Sequence, residues 1–189
     1  MTVSNKIPFG ERVAYSVNPQ IPPLLLRELT NQVKELPYQR SYIGLGGHER
    51  EHSNRTSNQS WLCWDTWVAG IMHNIFLSAN NDFFQYDLDH FDSGIQATKY
   101  EVGQKYEWHV DAGEFTEKPR KLSMSLVLET EFTGGELEIF DSSQHKTLSF
   151  DITPGHVVIF PSWMSHRVHP VTSGTRYSLV AWMNGPEFK

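Results

Sequence analysis

The triplet His-x-Asp occurs twice in the chain, and the surroundings of the two copies differ. His109 and Asp111 end the aromatic run 106–111, whose composition is typical of a β-strand. Because residues i and i+2 of a strand point to the same face, this pair can close on one metal ion. His90 and Asp92 lie in a polar turn without a strand pattern. We therefore interpret His90 as a solvated loop histidine and take the second triplet as the candidate metal site.

Two groups from one strand do not complete a stable metal site, so a third ligand should come from a distant strand that faces the same interior. Residues 165–169 offer His166 and His169, which a strand would point to opposite faces. Arg176 follows, ten residues after His166 and seven after His169. Two histidines and one carboxylate that leave coordination positions open are the facial ligand set favoured by non-haem Fe(II) oxygenases. Strand parity alone leaves the choice between the two histidines open.

The composition limits the alternatives. The 189 residues include 16 Lys and Arg against 22 Asp and Glu, which gives a net charge of −6. An acidic chain without basic runs is a poor candidate for binding nucleic acid or anionic membranes. With Cys63 as the single cysteine, the chain can form neither an intrachain disulfide nor a Cys-rich zinc site. The sequence shows no signal-peptide pattern or membrane span, so we expect a cytoplasmic protein.

The elements that must position these residues change in character near residue 94. Apolar residues at helical spacing predict helices over 19–36 and 65–78, with Asp65 as the N-cap of the second. Residues 44–60 are polar and Gly-rich, which is typical of a lid loop or of a disordered segment. Eight short β-type runs then follow, and they predict an antiparallel sandwich or jelly roll with the helices packed on one sheet. The runs are 95–102, 106–111, 122–129, 136–140, 147–152, 156–160, 166–171 and 176–183.

Five stretches in the second half of the chain resemble, in the family's order, the Fe(II)/2-oxoglutarate-dependent dioxygenases. The similarity is greatest to the prolyl-4-hydroxylase-like branch, which includes the PKHD-type hydroxylases. The step of ten residues from the distal histidine to the arginine is also the family's step, and it selects His166 over His169. The stretches are Tyr100–Asp111, Phe132–Phe140, Pro154–Phe160, Ser165-His166 and Gly174–Trp182.

This resemblance implies a fold and a metal site. The fold is a mainly β double-stranded β-helix, a cupin-like jelly roll, over residues 95–185. Residues 1–94 would supply helical support and a lid loop within one domain of residues 1–189. His109, Asp111 and His166 would bind Fe(II), and the remaining positions would take 2-oxoglutarate and O2, with ascorbate as a candidate reductant. No catalytic residue beyond the metal ligands is implied.

The resemblance also assigns cofactor-binding residues. Arg176 would bind the far carboxylate of 2-oxoglutarate, a task suited to a planar fork of donors. Alternation along the last strand puts Ser178 and Trp182 on the same face, so we expect Ser178 to share this carboxylate and Trp182 to line the substrate pocket. Tyr100 matches a family tyrosine that contacts the co-substrate. Gln96 lies on the same strand face as Tyr100 and is assigned to the substrate pocket.

The implied reaction is hydroxylation of a substrate with release of succinate and CO2. The substrate would be peptidyl proline, another amino-acid side chain or a small molecule, selected by the loops 44–60 and 112–120. The nucleic-acid demethylase branch carries a second arginine six residues after the first, where this chain has Trp182. We therefore expect neither nucleic acid nor a membrane as a partner, and the oligomeric state stays open.

Two other functions remain as alternatives. The first is a non-catalytic, cupin-like module that keeps the metal as a structural element. The second is a hydrolytic zinc enzyme that uses the same three ligands. The binding module predicts no need for Arg176 in a buried pocket, and the zinc enzyme predicts an acid–base glutamate beside the metal. No such glutamate is evident from the spacing around His109.

Overall fold

The structure is a computed structural model, and it describes residues 13–41, 54–92, 94–112, 119–129, 131–150 and 153–187. Within these ranges the chain is mainly β, with two α-helices before residue 80. The helices are α1 (Pro23–Lys34) and α2 (Trp67–Ala79), and a π-helical turn over Asn80–Phe84 follows α2. The strands are β1 (Tyr15–Val17), β2 (Gln39–Arg40), β3 (Asn58–Leu62), β4 (His90–Phe91), β5 (Ile95–Tyr100), β6 (Tyr106–His109), β7 (Arg120–Val127), β8 (Phe132–Gly134), β9 (Leu137–Asp141), β10 (Lys146–Ser149), β11 (Val157–Pro161), β12 (His166–Val168), β13 (Val171–Gly174) and β14 (Arg176–Asn184).

The larger sheet is antiparallel, and β14 lies at its centre. The strand order is β1-β11-β7-β14-β5-β3-β2, and β4 pairs with the end of β14. β14 is nine residues long and pairs with β7 on one side and with β5 on the other. Strands that are far apart in the sequence are therefore brought side by side around β14.

The smaller sheet is also antiparallel and faces the larger one. Its strand order is β10-β9-β12-β6, and it brings His166 of β12 directly opposite His109 of β6. Apolar side chains of both sheets meet in one cluster, which includes Tyr100 of β5, Phe160 of β11 and Ile139 of β9. β8 and β13 form a separate two-stranded ribbon. Neither sheet closes on itself in the described part of the chain.

The central strands alternate between two environments, as the two-residue period of a strand requires. On β11, Val157 and Ile159 pack under the helices, whereas Val158 and Phe160 face the smaller sheet. Because both faces are covered, β11 and β14 are buried almost throughout. On β14 the same period separates Leu179, Ala181 and Met183, on the helix side, from Arg176, Ser178, Val180 and Trp182, which line the interior of the sandwich.

The two helices cover the outer face of the larger sheet. α1 begins at Pro23, whose fixed φ suits a first helical position, and it buries Leu29 and Val33. α2 buries Met72 and Phe76. These side chains join the core cluster that the sheet residues form, and burial of each such large side chain stabilises the fold by roughly 1.5–3 kcal/mol. The helices thus support the sheet from the side opposite to the interior of the sandwich.

Several element boundaries differ from the predicted ones. Thr66, not Asp65, stands at the N-cap of α2, and its hydroxyl donates to the Cys63 carbonyl instead of capping the helix. The prediction of Asp65 as N-cap was therefore wrong. The strand predicted over 166–171 is divided into β12 and β13, because Pro170 between them has no N–H for a sheet hydrogen bond.

Five short strands were not predicted, namely β1, β2, β3, β4 and β8. β3 begins inside the predicted loop 44–60, since pairing with β5 supplies hydrogen bonds that its polar sequence does not signal. His90 was interpreted as part of a turn without strand character, yet it pairs with Asn184 in the larger sheet. Most of the two loops predicted to select the substrate, 44–60 and 112–120, lies outside the described residues. No helix in the described ranges is long and apolar enough to span a bilayer.

Gly174, at the end of β13, offers a test of this strand arrangement. Its φ is +69°, and a Cβ built there would overlap the backbone carbonyl oxygen of Glu131. We expect Gly174→Ala to lower the free energy of unfolding by about 2–4 kcal/mol, because left-handed strain of ~1–2 kcal/mol adds to the displacement of Glu131. For a chain of this size the melting temperature should fall by roughly 5–15 °C, as measured by circular dichroism.

Gly70→Ala is the matched control. Gly70 is exposed in α2, and no atom lies within 4 Å of the position that a Cβ would take. Alanine should therefore stabilise the protein by about 0.5–1 kcal/mol. A melting temperature of Gly174→Ala equal to that of the wild type would contradict the pairing of β8 with β13.

Candidate active site

Two histidines and one aspartate converge where β6 and β12 pair. His109 ends β6, His166 begins β12, and Asp111 follows β6. Asp111 Oδ1 lies 3.6 Å from His109 Nε2, and Asp111 Oδ2 lies 3.5 Å from His166 Nε2. One potential ligand atom from each side chain lies within 4.8 Å of the other two. The spacing of the three groups suits a single metal ion.

Backbone carbonyls determine which nitrogen of each imidazole carries the proton. Nδ1 of His109 lies 2.8 Å from the Glu107 oxygen, and Nδ1 of His166 lies 2.9 Å from the Met164 oxygen. Because a carbonyl oxygen only accepts hydrogen bonds, each Nδ1 donates, and each neutral ring leaves the Nε2 lone pair free toward Asp111. Burial and the neighbouring His166 lower the pKa of His109 to about 4, so this ring is neutral at pH 7.

Hydrogen bonds hold the Asp111 carboxylate in one orientation. The Ser123 hydroxyl donates to Oδ2 at 2.8 Å, and the indole Nε1–H of Trp182 donates to the same oxygen at 2.9 Å. Burial by itself would raise the pKa of Asp111, but His166, His109 and these two hydrogen bonds hold that pKa below its usual range. The carboxylate is therefore ionised and directed before any ligand binds.

A buried guanidinium lies on the wall of the cavity that the metal-binding candidates also line, and this cavity has a volume of about 380 Å³. Arg176 is 2% exposed, and its Nη1 donates to the Ser178 hydroxyl at 2.7 Å. Its Nε has no hydrogen-bond partner within the described ranges, and no ion pair joins Arg176 to a described carboxylate. Burial lowers the pKa of Arg176, yet a guanidinium stays charged in proteins. An unpaired charge is costly to bury, so this end of the cavity suits an anion.

Two neighbours shape the environment of Arg176. Thr98 lies opposite Ser178 in the sheet, and its buried hydroxyl finds no partner among the described residues. Gly135 has a φ of +69°, and a Cβ there would lie 2.9 Å from Arg176 Cδ. Glycine therefore both permits this backbone and leaves room for the arginine. The Thr98 hydroxyl and the Arg176 Nε–H are both available to a polar ligand.

A second arginine lines the cavity close to the histidines. The Arg55 guanidinium lies 4.7 Å from the centre of the Tyr106 ring, and that ring stacks on the His109 imidazole at 3.4 Å. Arg55 Nη2 donates to Gln96 Oε1 at 2.8 Å, and Gln96 Nε2 donates to Gln59 Oε1 at 3.0 Å. The Gln96 amide is thus occupied in holding Arg55.

Known proteins share this segment of the chain. The family model of the 2OG-Fe(II) oxygenase superfamily matches residues 95–184, which contain the His-Asp-His group and Arg176. The match spans 90 of the 189 residues, slightly less than half of the chain.

Curated relatives that match the same part of the chain are named PKHD-type hydroxylases. One from Gloeothece citriformis is 34% identical over 90 residues, which are 46% of this chain and 40% of the relative. Another, from a Synechococcus species, is 38% identical over 91 residues, which are 47% of this chain and 40% of the relative. The similarity thus covers less than half of the length of these relatives.

Solved structures share the fold over most of the chain. A prolyl-4-hydroxylase from Pseudomonas putida superposes with a TM-score of 0.71 and 20% identity, covering 92% of this chain and 93% of its own. A prolyl hydroxylase from Trichoplax adhaerens, solved with a hypoxia inducible factor peptide, gives a TM-score of 0.74 at 15% identity, covering 92% and 84%. At these identities the likeness is one of fold.

The site fits the two groups in the name of the matching superfamily. Two imidazoles with Nε2 directed at one ionised carboxylate are the ligands that suit non-haem Fe(II). The buried Arg176, with the unpaired Thr98 hydroxyl near it, suits a carboxylate of 2-oxoglutarate. In both cases hydrogen bonds within the protein hold the side chains that would bind the group.

The predicted site residues all line one cavity, although their roles stay predictions. Of the rejected histidines, His90 is exposed and accepts a hydrogen bond from Asn184 Nδ2 at 3.3 Å, while His169 pairs with Glu138 at 2.9 Å. Trp182, assigned to the substrate pocket, is also a hydrogen-bond donor to Asp111. The residues that share the cavity are His109, Asp111, His166, Arg176, Ser178, Tyr100, Trp182 and Gln96.

Sequence reasoning missed the residues that support the candidate site. Arg55 lies in the segment predicted as a loop, where no pattern marks a cavity residue. Ser123 was findable, because Ser123 and Ser125 alternate with Leu122, Met124 and Leu126. A polar residue at every second position of a buried strand indicates a polar interior on that face. Thr98 was findable in the same way, because it lies between Gln96 and Tyr100 on one strand face.

The indole N–H of Trp182 should contribute to metal affinity. Trp182→Phe keeps an aromatic ring but removes the donor to Asp111 Oδ2. We expect the affinity for Co(II), used as a stable substitute for Fe(II), to fall about 10–100-fold, as is usual when a metal ligand loses its hydrogen-bond partner. Isothermal titration calorimetry would measure it. Trp64→Phe is the control, since Trp64 is 68% exposed; equal affinities for the two variants would refute the role of Trp182.

Proposed function

We propose that the chain is an Fe(II)- and 2-oxoglutarate-dependent hydroxylase that releases succinate and CO2. The observation that carries this proposal is the shared cavity, which is lined both by the His-Asp-His group and by the buried Arg176. A metal-binding module of the cupin type would need no such cation. Asp111 is the one acidic residue among the described residues that line the cavity. A zinc hydrolase would therefore lack its acid–base glutamate.

The same proposal includes the architecture. We assign residues 95–185 to a double-stranded β-helix and residues 1–94 to helical support and a lid, within one domain. The facing sheets and the fold shared with prolyl hydroxylases support this assignment. A reducing, cytoplasm-like compartment agrees with the exposed thiol of Cys63.

In the proposed mechanism, His109 Nε2, Asp111 and His166 Nε2 hold the iron. When bound, iron and 2-oxoglutarate supply the oxidising chemistry, in which O2 is consumed and one oxygen atom enters a C–H bond of the substrate. Arg176 binds the far carboxylate of 2-oxoglutarate, and Ser178 holds the guanidinium in place for it. The covered faces of the sandwich keep bulk water from this end of the cavity, which strengthens the ion pair.

For the substrate we propose a side chain of a peptide or protein. The prolyl hydroxylase from Trichoplax adhaerens, which shares the fold, was solved with a peptide fragment. Trp61, 48% exposed, lies beside Trp182 at the cavity and offers an apolar contact for a chain that enters there. The acidic net charge of the chain speaks against nucleic acid.

Anaerobic addition of Fe(II) and 2-oxoglutarate tests the reaction class. Chelation of the metal by the keto acid should produce a weak charge-transfer band in the visible spectrum, and subsequent exposure to air should release succinate. The wild-type protein without 2-oxoglutarate is the control and should give neither signal. Absence of both the band and succinate would refute the proposed function.

Arg176→Ala tests the carboxylate anchor separately from the metal. We expect 2-oxoglutarate binding to weaken by about 1.5–3 kcal/mol, or roughly 10–150-fold, because a charged hydrogen-bond donor is lost. The affinity for Co(II), measured by calorimetry, should persist. His90→Ala is the control and should change neither affinity. Loss of metal binding in His90→Ala would mean that the other His-x-Asp triplet forms the metal site.

A further inference from the structure

We propose that the other His-x-Asp triplet, residues 90–92, serves the site indirectly, because Asp92 positions Asp111 through Arg120 and Trp182. This inference rests on the proposed function, since it assumes that Asp111 is a metal ligand. The triplet itself supplies no ligand. Its role is that of a positioning device made of three successive contacts, from carboxylate to guanidinium, from guanidinium to indole, and from indole to the second carboxylate.

The first contact joins Asp92 to Arg120. Arg120 Nε donates to Asp92 Oδ2 at 2.8 Å, and the side chains are only 22% and 15% exposed, respectively. A charge-assisted hydrogen bond at Nε, the rigid inner nitrogen of the guanidinium, fixes the plane of the whole group. Asp92 therefore determines how Arg120 lies against its neighbours.

The second contact holds the Trp182 indole. The Arg120 guanidinium lies 4.0 Å from the centre of the indole, and the Trp61 ring lies 6.2 Å away at an interplanar angle of 38°. Cation–π attraction of this kind strengthens as the pair is desolvated, and Trp182 is only 5% exposed. With neighbours on the indole fixed, its Nε1–H is directed at Asp111 Oδ2, 2.9 Å away.

The backbone ties Asp92 to the same tryptophan. β4 pairs with β14 through Phe91 opposite Met183, and the N–H of Asp92 donates to the Trp182 carbonyl at 2.9 Å. The two-residue strand β4 thus places the Asp92 carboxylate next to Trp182, the residue that Arg120 covers. Pairing with β14 in this register explains why β4 is a strand although its sequence carries no strand pattern.

The indole is the donor to Asp111 that most depends on being positioned. The other donor, the Ser123 hydroxyl, can reorient its O–H by rotation about one bond and also lies 2.9 Å from the Ser162 hydroxyl. An indole N–H lies in the ring plane and has no such freedom, so its direction is that of the ring. Loss of Asp92 should therefore weaken the hydrogen bond from Trp182 to Asp111, because the indole N–H is no longer directed at the carboxylate.

A metal-free experiment tests the chain of contacts itself. The indole N–H signals of the six tryptophans are recorded by 15N-correlated NMR, and Trp182→Phe identifies that of Trp182. In Asp92→Ala we expect this signal to shift and its hydrogen exchange to accelerate about 5–30-fold, the effect of losing one or two kcal/mol of protection. Asp92→Asn, whose amide oxygen still accepts from Arg120, should retain most of the protection. His90→Ala, the control in the same turn, should not change the signal.

A metal-binding experiment tests the consequence. We expect Asp92→Ala to weaken Co(II) binding about 3–10-fold, less than the loss expected for a direct partner of a ligand. Adding Asp92→Ala to Trp182→Phe should cause no further loss, because both act through one hydrogen bond. Losses that multiply would overturn the proposal. An unchanged Trp182 indole signal in Asp92→Ala would also overturn it. If in addition only the KM for the substrate changed in this variant, Arg120 would bind the substrate directly. If the wild type binds neither Co(II) nor 2-oxoglutarate, the proposed function fails, whereas the NMR result still decides whether Asp92 positions the indole.

Discussion

The buried positive charge of Arg176 is the constraint on which the arrangement of the site depends. A guanidinium that is 2% exposed cannot recover the hydration it loses, and one hydroxyl, that of Ser178, offsets only part of the cost. The fold tolerates the charge because Arg176 is held between β5 and a glycine, Gly135, that leaves space for its side chain. The unfavourable burial becomes favourable when an anion enters, since the low dielectric that penalises the lone charge also strengthens the ion pair.

The two sheets contribute different halves of the site. The smaller sheet carries the histidines on β6 and β12, whereas the larger sheet carries Arg176 on β14. Helix packing on the outer face of the larger sheet leaves every second residue of β14 free for the interior, namely Arg176, Ser178, Val180 and Trp182. His166 and Arg176 therefore sit on β12 and β14, strands that are paired on both sides, which limits their movement.

Residues that share a strand, or lie a fixed short step apart, could be predicted from the sequence. His109 and Asp111 follow from the two-residue period, and so does the common face of Arg176, Ser178 and Trp182. The position of His166 opposite His109 required the resemblance to a family, because pairing between strands 57 residues apart (166 − 109) leaves no local signal.

Supporting contacts were beyond the reach of local patterns for the same reason. Arg55 contacts Tyr106 across a gap of about fifty residues, and Arg120 reaches both Asp92 and Trp182. Each of these contacts depends on how strands pack, and arginine and aspartate on a polar stretch read as ordinary surface residues. The short strands β3 and β4 were missed because partners in the sheet, not their own composition, make them strands.

Asp111 connects the His-Asp-His group with the residues at the mouth of the cavity through the hydrogen bond from Trp182. An indole donor keeps a fixed direction only if its ring is held, and the side chains that hold Trp182 are Trp61 and Arg120, which also line the cavity. Trp61 and Arg120 are thus available to a substrate in the cavity, and they also fix the hydrogen bond that Trp182 donates to Asp111. Because Asp92 neutralises Arg120 from the side of β4, this support does not require the substrate to be present. The geometry of the proposed metal ligands is therefore a property of the folded chain, established at the strand ends before the cavity is filled.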